Sequence, residues 1–461
     1  MIYSIKSSFN NFKTFHFVKK LCSTVTSSSS SSQLSELTGS KPVAYWLFGM
    51  CGLVAGMVTV GGVTRLTRSG LSMTDWKIQG SLPPMNDAEW QIEFERYKTF
   101  PEWQQRKSMT VDEFKTIYWW EYGHRMMGRS LGVAFILPFT YFSVKKMIPK
   151  HLYPRLYLLL GLGGAQGLVG WWMVKSGLEV DPEQKKEIRV SPYRLATHLG
   201  MAFTTYGLLL WTALDAYFPK SHYENVGKKF APISLKFAKS LRGTGFRNLF
   251  LVCLTAMSGA YVAGNDAGRA YNTFPKMGDV WIPYEIFDLE PWWKNLFENT
   301  AMVQFNHRIL AITTYISVSA MYVRAIHSTV QWTIIPNLTR ILMNTVATVA
   351  GLQVGLGVYT LLSHVPIPIA ALHQSGSLLL ITSLLCLTHS LGYGKNIPES
   401  VKKNVINQTK EISKDLNEQI LKKTIGKPKN FPAASLAEIR KRNEENKEIK
   451  ENKENKENKE T

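Results

Sequence analysis

The chain has 461 residues, a formal net charge of +20 and 45% hydrophobic residues. This length exceeds that of one ordinary soluble domain. The basic excess alone would suit a nucleic-acid-binding protein, but it lies mainly in segments between long apolar runs, so we predict that nucleic acid is not a partner. The four cysteines form no CxxC pair, which argues against a disulfide framework or a zinc site.

The N-terminal segment has the composition of a targeting sequence. Its first 35 residues contain four lysines and no acidic residue, and serines occupy positions 27–32. This pattern predicts a mitochondrial presequence within residues 1–40, which takes no part in the fold prediction. A disordered basic tail is the alternative.

Eight apolar runs of roughly membrane-spanning length, about 20 residues each, follow this segment. They lie at approximately 43–64, 118–143, 153–174, 193–217, 248–264, 302–323, 341–362 and 369–391. In lipid, a continuous apolar run satisfies its backbone hydrogen bonds as a helix. We therefore predict an all-α polytopic membrane protein with eight transmembrane helices, of which the fifth is the shortest.

The charges between the runs predict the orientation of the chain. Segment 145–155 contains four basic residues and no acid, and segment 219–247 contains seven basic residues and one glutamate. In contrast, segment 265–300 contains three basic and six acidic residues. By the positive-inside rule, the two basic segments and both termini face the inner compartment.

Four motif pairs occur in the same order in the two halves of the chain. They are "TVGGVTRLTRSGLSM" (59–73) with "MSGAYVAGNDAGRAY" (257–271), "EYGHRMMG" (121–128) with "QFNHRILA" (304–311), "GGAQGLVG" (163–170) with "AGLQVGLG" (350–357), and "RLATHLG" (194–200) with "AALHQSG" (370–376). This order predicts an internal repeat. Each half has an even number of spans, so the repeats are parallel rather than inverted.

The repeat predicts two tandem four-helix bundles, at residues 41–218 and 248–392. The basic segment 219–247 is expected to be the loop that connects them. Residues 393–461 are charged and of low complexity, which predicts a disordered tail.

Glycines recur at four-residue spacing in the first, third and seventh runs. Such small-residue faces let membrane helices approach closely, so we predict that they serve helix packing. These glycines are Gly52 and Gly56, Gly163 and Gly167, and Gly351 and Gly355.

One histidine lies near the start of each even-numbered run. They are His124, His198, His307 and His373. Even-numbered helices all enter from the outer side, so the four imidazoles are expected at similar depth. Ionisable side chains within a membrane mark function by default. Two imidazoles that face each other across a bundle can hold the iron of a porphyrin, so the repeat favours one haem site in each half, while pairing with a histidine of the other half stays open. The alternative is that each histidine is a hydrogen-bonded packing residue.

Arginines follow two of these histidines directly, at Arg125 and Arg308. A guanidinium binds a carboxylate through two hydrogen bonds, and haem carries two propionates. These arginines are therefore candidate propionate ligands, with Arg65 as a further candidate.

An acidic residue distinguishes the first half from the second. Glu121 precedes His124 by three residues on the same helical face, whereas Gln304 occupies the matching place. This asymmetry predicts a reacting species in the first half and a fixed redox group in the second. Glu121 is the candidate acid–base group; a salt bridge to a nearby arginine is the alternative.

Taken together, "EYGHRMMGRSLG", "GGVTRLTRSGLSMTDW", "YRLATHLG", "FNHRILA" and "ALHQSG" resemble haem A synthase over about residues 43–391. The resemblance implies oxidation of a ring methyl of haem O to a formyl group, which yields haem A for cytochrome c oxidase. It also implies a prosthetic haem b at His307 and His373. Substrate haem O and product haem A would then lie at His124 and His198, beside Glu121.

The resemblance further implies a location in the mitochondrial inner membrane, with the termini in the matrix and the haem sites near the intermembrane space. A ferredoxin and its reductase are the expected electron source. Haem O synthase, cytochrome oxidase assembly factors and membrane lipid are further expected partners, and both a monomer and a homo-oligomer stay open. The alternative function is a two-haem electron-transfer cytochrome b without substrate turnover.

Overall fold

The computed structural model describes residues 40–73, 77, 79–179 and 188–395, and its regular elements within these ranges are helices. The prediction of an all-α protein is thus confirmed. The presequence and most of the charged tail lie outside the described residues. Eight helices are long: α1 (Lys41–Leu66), α2 (Val111–Val144), α3 (Tyr153–Leu178), α4 (Pro192–Tyr217), α5 (Pro232–Gly264), α6 (Thr300–His327), α7 (Asn337–Leu362) and α8 (Ile367–Ser390).

Within the described ranges, seven of these helices are long and apolar enough to cross a membrane, so the chain is a multi-pass membrane protein. The exception is α4, which mixes threonine, tyrosine, arginine, histidine and aspartate with its apolar residues. This helix contacts α1, α3, α5 and α8. A helix that is surrounded in this way needs fewer apolar side chains, because protein covers much of its surface. The count of eight spans stays a prediction.

Helix α2 begins at Val111, two turns before the predicted run. A capping box fixes this start: the Thr110 side chain accepts from the Glu113 amide, and the Glu113 carboxylate accepts from the Thr110 amide. The added turns pack against the helix Asp87–Lys98 in an aromatic cluster. This cluster includes Trp90, Phe94, Tyr97, Phe114 and Tyr118. His124 therefore lies deeper in its helix than the sequence predicts.

The segment 219–247, predicted to be a loop, is largely helical. It contains a short helix, Lys220–Gly227, and the start of α5 at Pro232. Buried Leu235, Ala238 and Leu241 recur at helical spacing, while the lysines between them are exposed. These lysines lower the hydropathy of the segment, which is why a search for apolar runs finds only the later part of α5.

The eight long helices form two closed sets of four, which we call rings, because each helix contacts the next and the last contacts the first. In the first ring α1, α2, α3 and α4 each contact the next and α4 returns to α1; α5 to α8 form the second ring in the same way. The rings meet along α1–α8, α4–α5 and α4–α8. This connectivity is the one expected for two four-helix bundles, and the tandem repeat itself stays a prediction.

The helix ends sort onto two faces of the molecule. On one face, Arg65 near the end of α1 donates to the carbonyl of Ala263 near the end of α5 at 2.8 Å. On the other face, the Ser40 amide before α1 donates to the carbonyl of Ala216 in α4 at 3.0 Å. We name them the histidine face, where α2, α4, α6 and α8 begin, and the opposite face.

Candidate functional site

The predicted histidines lie in pairs near the histidine face. In the second half, the ring centroids of His307 and His373 are 6.5 Å apart and the ring planes are perpendicular. In the first half, His124 and His198 lie near enough to interact electrostatically. No group of three or more His, Cys, Asp or Glu side chains in the described part of the chain is arranged to hold a metal ion. A metal ion at either pair would therefore have two histidine ligands, and a bound group would have to supply its other ligands.

Each of these imidazoles lies against a glycine of the preceding helix. Cβ atoms built on Gly61, Gly170, Gly259 and Gly357 would lie 2.8, 3.0, 3.1 and 2.8 Å from Cε1 of His124, His198, His307 and His373, respectively. Real Cβ atoms essentially never approach another atom within 3.0 Å. A role for these glycines is not among the sequence predictions, although they occupy matching positions in the first and third motif pairs.

The hydrogen bonds of His307 identify which ring nitrogen carries the proton. Ser258 Oγ lies 2.8 Å from Nδ1 of His307, and the same hydroxyl donates to the Thr255 carbonyl at 2.7 Å. A serine hydroxyl has a single proton, so when that proton goes to the Thr255 carbonyl, Nδ1 of the imidazole is the donor to Ser258. The neutral ring then presents its lone pair at Nε2, the state that binds a metal.

The other three imidazoles are held differently. Gln166 Nε2 donates to the His198 carbonyl at 2.9 Å and lies 3.2 Å from Nδ1 of that ring. Its counterpart Gln353 donates to the His373 carbonyl at 2.8 Å. Nδ1 of His124 and of His373 is buried without a hydrogen-bond partner among the residues that the structure describes. Each pair therefore contains one ring whose Nδ1 has a hydrogen-bond partner and one whose Nδ1 has none among the described residues.

Glu121 is 2% exposed and makes hydrogen bonds through both carboxylate oxygens. Its Oε2 accepts from Ser72 Oγ at 2.7 Å and from the Met73 amide at 2.8 Å, and its Oε1 accepts from Arg125 at 2.5 Å. Arg125 also donates to the Met73 carbonyl. The carboxylate and the arginine thus hold the segment after α1 against α2, and the salt bridge weighed as an alternative role is present.

Gln304 occupies the matching place in the second half and is 3% exposed. Its Nε2 donates to the carbonyls of Ala267 and Ala270 at 2.8 and 2.5 Å, and its Oε1 accepts from Arg308 at 2.9 Å. Arg308 also donates to the Tyr271 carbonyl at 2.8 Å. The segment after α1 presents hydrogen-bond donors, from which a carboxylate can accept. The segment after α5 presents carbonyl acceptors, to which an amide nitrogen can donate. Loop hydrogen bonding therefore accounts for the choice of acid or amide.

The third predicted arginine, Arg65, joins the two halves. It lies 3.3 Å from Asp266, which also lies 3.7 Å from Arg68 and 3.6 Å from Arg189. Nε of Arg65 and Nε of Arg308 are buried without a hydrogen-bond partner in the described ranges. A buried guanidinium N–H without a partner is a favourable place for an anionic oxygen.

A direct contact between α1 and α8 links the two histidine pairs. Gln374, next to His373, donates to the Val58 carbonyl at 2.8 Å, and Thr59 Oγ1 and Ser375 Oγ are 2.9 Å apart. A Cβ built on Gly62 would lie 2.4 Å from Oε1 of Gln374. The turn of α1 that touches His124 thus also touches the neighbour of His373.

His389 lies at the opposite face, away from the two pairs. Its Nε2 is 2.9 Å from Asp215, which also pairs with Arg155, and its Nδ1 is 2.6 Å from the hydroxyl of Tyr223. Burial, followed by the charge of Asp215, raises the pKa of Tyr223 above its usual range. These contacts tie α3, α4 and α8 together and indicate a structural role for this histidine.

Comparison with known proteins gives one consistent result. The family model of the COX15-CtaA cytochrome oxidase assembly proteins matches residues 44–385. Heme A synthase COX15 of Arabidopsis thaliana is 48% identical over 370 residues, which cover 79% of each chain. Heme A synthase of Nitrosospira multiformis is 42% identical over 356 residues, or 76% of this chain and 94% of that protein.

A third relative carries an additional part. The Heme A synthase-mitochondrial ferredoxin fusion protein of Schizosaccharomyces pombe is 41% identical over 426 residues, which cover 88% of this chain and 68% of that protein. The family model spans well over half of the present chain, and the relatives match most of it. The chain therefore belongs to the COX15-CtaA family of cytochrome oxidase assembly proteins.

Proposed function

We propose that this protein is a haem A synthase, which oxidises a ring methyl of haem O to a formyl group. The observation that carries the proposal is the facing pair of His307 and His373, 6.5 Å apart between ring centroids, in a chain of this family. The relatives that bear this activity in their names support the assignment of substrate and product.

The second half suits a prosthetic haem b. A porphyrin supplies most ligands of its iron, and His307 and His373 would supply the remaining ones. His307 and His373 face each other, and His307 has its lone pair at Nε2 because Nδ1 donates to Ser258. When bound, haem supplies the one-electron and oxygen chemistry that the side chains lack.

In the first half, His124 and His198 are the proposed ligands of haem O and of haem A. A metal at Nε2 of His198 requires a proton on Nδ1. Nε2 of Gln166 would then keep its hydrogen bond to the His198 carbonyl and no longer donate to Nδ1. Arg65 and Arg308 offer buried Nε–H groups for propionates, and Arg125 is proposed as a third propionate residue because it directly follows His124.

Glu121 is the proposed acid–base group of the first site. It is a buried carboxylate three residues before His124. The hydroxyl of Ser72 donates to its Oε2 at 2.7 Å, so that oxygen has a neighbour that can exchange a proton with it. Arg125 donates to the other oxygen, Oε1, and holds the carboxylate in place.

The protein resides in a mitochondrial membrane, and we infer that this is the inner membrane. The basic segments 145–155 and 219–247 lie at the opposite face, which by the positive-inside rule supports the proposal that this face is on the matrix side and that the histidine pairs lie near the intermembrane space. The ferredoxin fusion among the relatives supports a ferredoxin as electron donor.

Haem extraction and chromatography test the proposal directly. Membranes that contain haem O synthase, ferredoxin and ferredoxin reductase would receive the wild type or one histidine variant. We expect haem A with the wild type and only background with His124→Ala, His198→Ala, His307→Ala or His373→Ala. His327→Ala, at an exposed histidine near the end of α6, should retain haem A formation.

Two results would overturn the proposal. If the wild type binds two haems but leaves haem O unchanged, the protein is an electron-transfer cytochrome. If haem A forms in all four histidine variants, another site carries the reaction. For the acid–base role, Glu121→Asp should lower haem A formation while bound haem stays constant, whereas unchanged formation would reduce Glu121 to an anchor of its loop.

A further inference from the structure

We propose that Gly61, Gly170, Gly259 and Gly357 are positioning residues that hold the four imidazoles in the orientation required for metal binding. This inference rests on the proposed function, because it assumes that the histidines bind haem iron. It goes beyond that function by assigning a role to four residues outside the histidine-bearing helices.

The contact geometry supports a positioning role. In all four cases, the ring atom closest to the glycine is Cε1, which lies between the two ring nitrogens. A displacement of Cε1 therefore displaces Nε2, the proposed metal ligand. The obstructing atom belongs to a side chain that rotates, so an added methyl group would turn the imidazole rather than separate the helices.

The same helices contain glycines without such a contact. At Gly52, Gly163, Gly351 and Gly355, no atom lies within 4 Å of the place where a Cβ would be. Close contact is thus not a general property of the glycines in these helices, although Gly62, Gly177, Gly245 and Gly264 also meet a neighbouring atom within 3.0 Å. Gly243 in α5 likewise has no atom within 4 Å of its Cβ position, so the chain provides a matched control in the same helix for each of the four positions.

The four contacts differ in how much the imidazole depends on them. His198 and His307 have Nδ1 partners, and their glycine distances are 3.0 and 3.1 Å. His124 and His373 have no Nδ1 partner in the described part of the chain, and their glycine distances are both 2.8 Å. We therefore expect alanine at Gly61 and Gly357 to disturb the imidazole more than alanine at Gly170 and Gly259.

The test uses the full-length protein, purified in detergent, with bound haem measured per protein. Gly357→Ala should lower haem b affinity about 10-fold, in the range found when the support of a metal ligand is lost. It should also shift the electron paramagnetic resonance signal of the low-spin ferric haem. Gly259→Ala should shift this signal less, and Gly351→Ala, in the same helix as Gly357, should match the wild type in both measurements.

The outcomes separate the inference from the proposed function. If His307→Ala and His373→Ala lose haem b but Gly357→Ala behaves like Gly351→Ala, the positioning role is wrong and the haem site stands. If the wild type itself shows no low-spin haem, the proposed function fails. Should Gly357→Ala not fold, Gly259→Ala decides the matter, because its contact requires only a small shift: a wild-type signal there would refute positioning.

Discussion

The two halves of the molecule fasten the loop after their first helix with the same geometry but with reversed hydrogen-bond direction. In the first half, Glu121 accepts from Ser72 and from the Met73 amide. In the second half, Gln304 donates to two backbone carbonyls. In both halves an arginine four residues later, Arg125 or Arg308, bonds to the glutamate or glutamine and to a carbonyl of the loop.

This difference explains why one half has a buried acid and the other half a buried amide at the matching position. A carboxylate is acceptor-only when ionised, whereas an amide nitrogen only donates. An amide in place of Glu121 would set two hydrogen-bond donors against each other, and an acid in place of Gln304 would set two acceptors against each other. The acid in the first half is thus required by its loop, and any chemical task of Glu121 is additional to this structural one.

The largest predicted effect is the loss of Glu121. Glu121→Ala leaves the guanidinium of Arg125, whose side chain is 14% exposed, without its carboxylate. Removal of one partner of a buried ion pair typically costs about 3–5 kcal/mol. Gln304→Ala removes a neutral amide, so the expected cost is about 1–3 kcal/mol. The free energy of unfolding in mixed micelles would measure both losses.

A double variant isolates the ion pair. Glu121→Ala combined with Arg125→Met removes both charges, so it should recover part of the stability that Glu121→Ala loses. If Glu121→Ala and Gln304→Ala have equal cost, the salt bridge contributes nothing beyond the neutral hydrogen bonds of the second half. The two halves would then differ in the chemical role of this residue and not in the stability that it provides.

Much of this fold and site can be predicted from the sequence. Hydropathy locates the long helices, because lipid requires long apolar helices. The repeated motifs select His307 and His373 and favour their pairing, but the sequence alone does not exclude pairing with a histidine of the other half. Hydropathy is less informative where charges lie on one side of a helix, as at the start of α5, or where a cap outside the membrane fixes the helix start, as at Thr110.

The glycines show a further limit. Four-residue spacing predicts close packing at Gly163 and Gly167, but neither has an atom within 4 Å of a Cβ position, so that prediction is wrong for both. The close contacts occur at Gly170 and Gly357 instead. Spacing within one helix does not specify which side faces a neighbour, whereas the matching positions in the two motifs mark these glycines. The direction of the loop hydrogen bonds at Glu121 has no comparable signal in the sequence.

A smaller effect is expected when one residue of the second half is replaced by its counterpart from the first half. Val60 of the first motif matches Ser258 of the second, so Ser258→Val removes the Nδ1 partner of His307. Nδ1 of the ring would then lack the Ser258 hydroxyl, as Nδ1 of His124 lacks a described partner, and the contact with Gly259 would remain. We expect haem b affinity to fall about 10-fold, measured by haem transfer to an apoprotein acceptor.

Ser377→Val in α8 is the matched control, because that hydroxyl donates to the Gln374 carbonyl and has no described contact with an imidazole. Unchanged haem b affinity in Ser258→Val would show that glycine packing alone suffices to orient His307. The two halves would then hold these imidazoles in equivalent ways.

The smallest predicted effect concerns a pair of matching residues with opposite charge. Arg68 and Asp266 occupy the same position of the first motif pair, and both have left-handed backbone, with φ of 53° and 50°. Asp266→Asn keeps this backbone, because asparagine tolerates left-handed φ, but removes the charge shared by Arg65, Arg68 and Arg189. Asp266 is partly exposed, so the loss of stability should be on the order of 1 kcal/mol.

Salt would distinguish repulsion among these arginines from the loss of a hydrogen bond. The Debye length shortens from about 10 Å at 0.1 M to about 3 Å at 1 M ionic strength. The stability difference between Asp266→Asn and the wild type should therefore shrink in high salt, while Asp279→Asn, at an exposed aspartate of the same loop, should show little difference at any salt concentration. A difference that persists in 1 M salt would mean that Asp266 joins the halves through directed hydrogen bonds to Arg65, and that the charge reversal between the repeats contributes little.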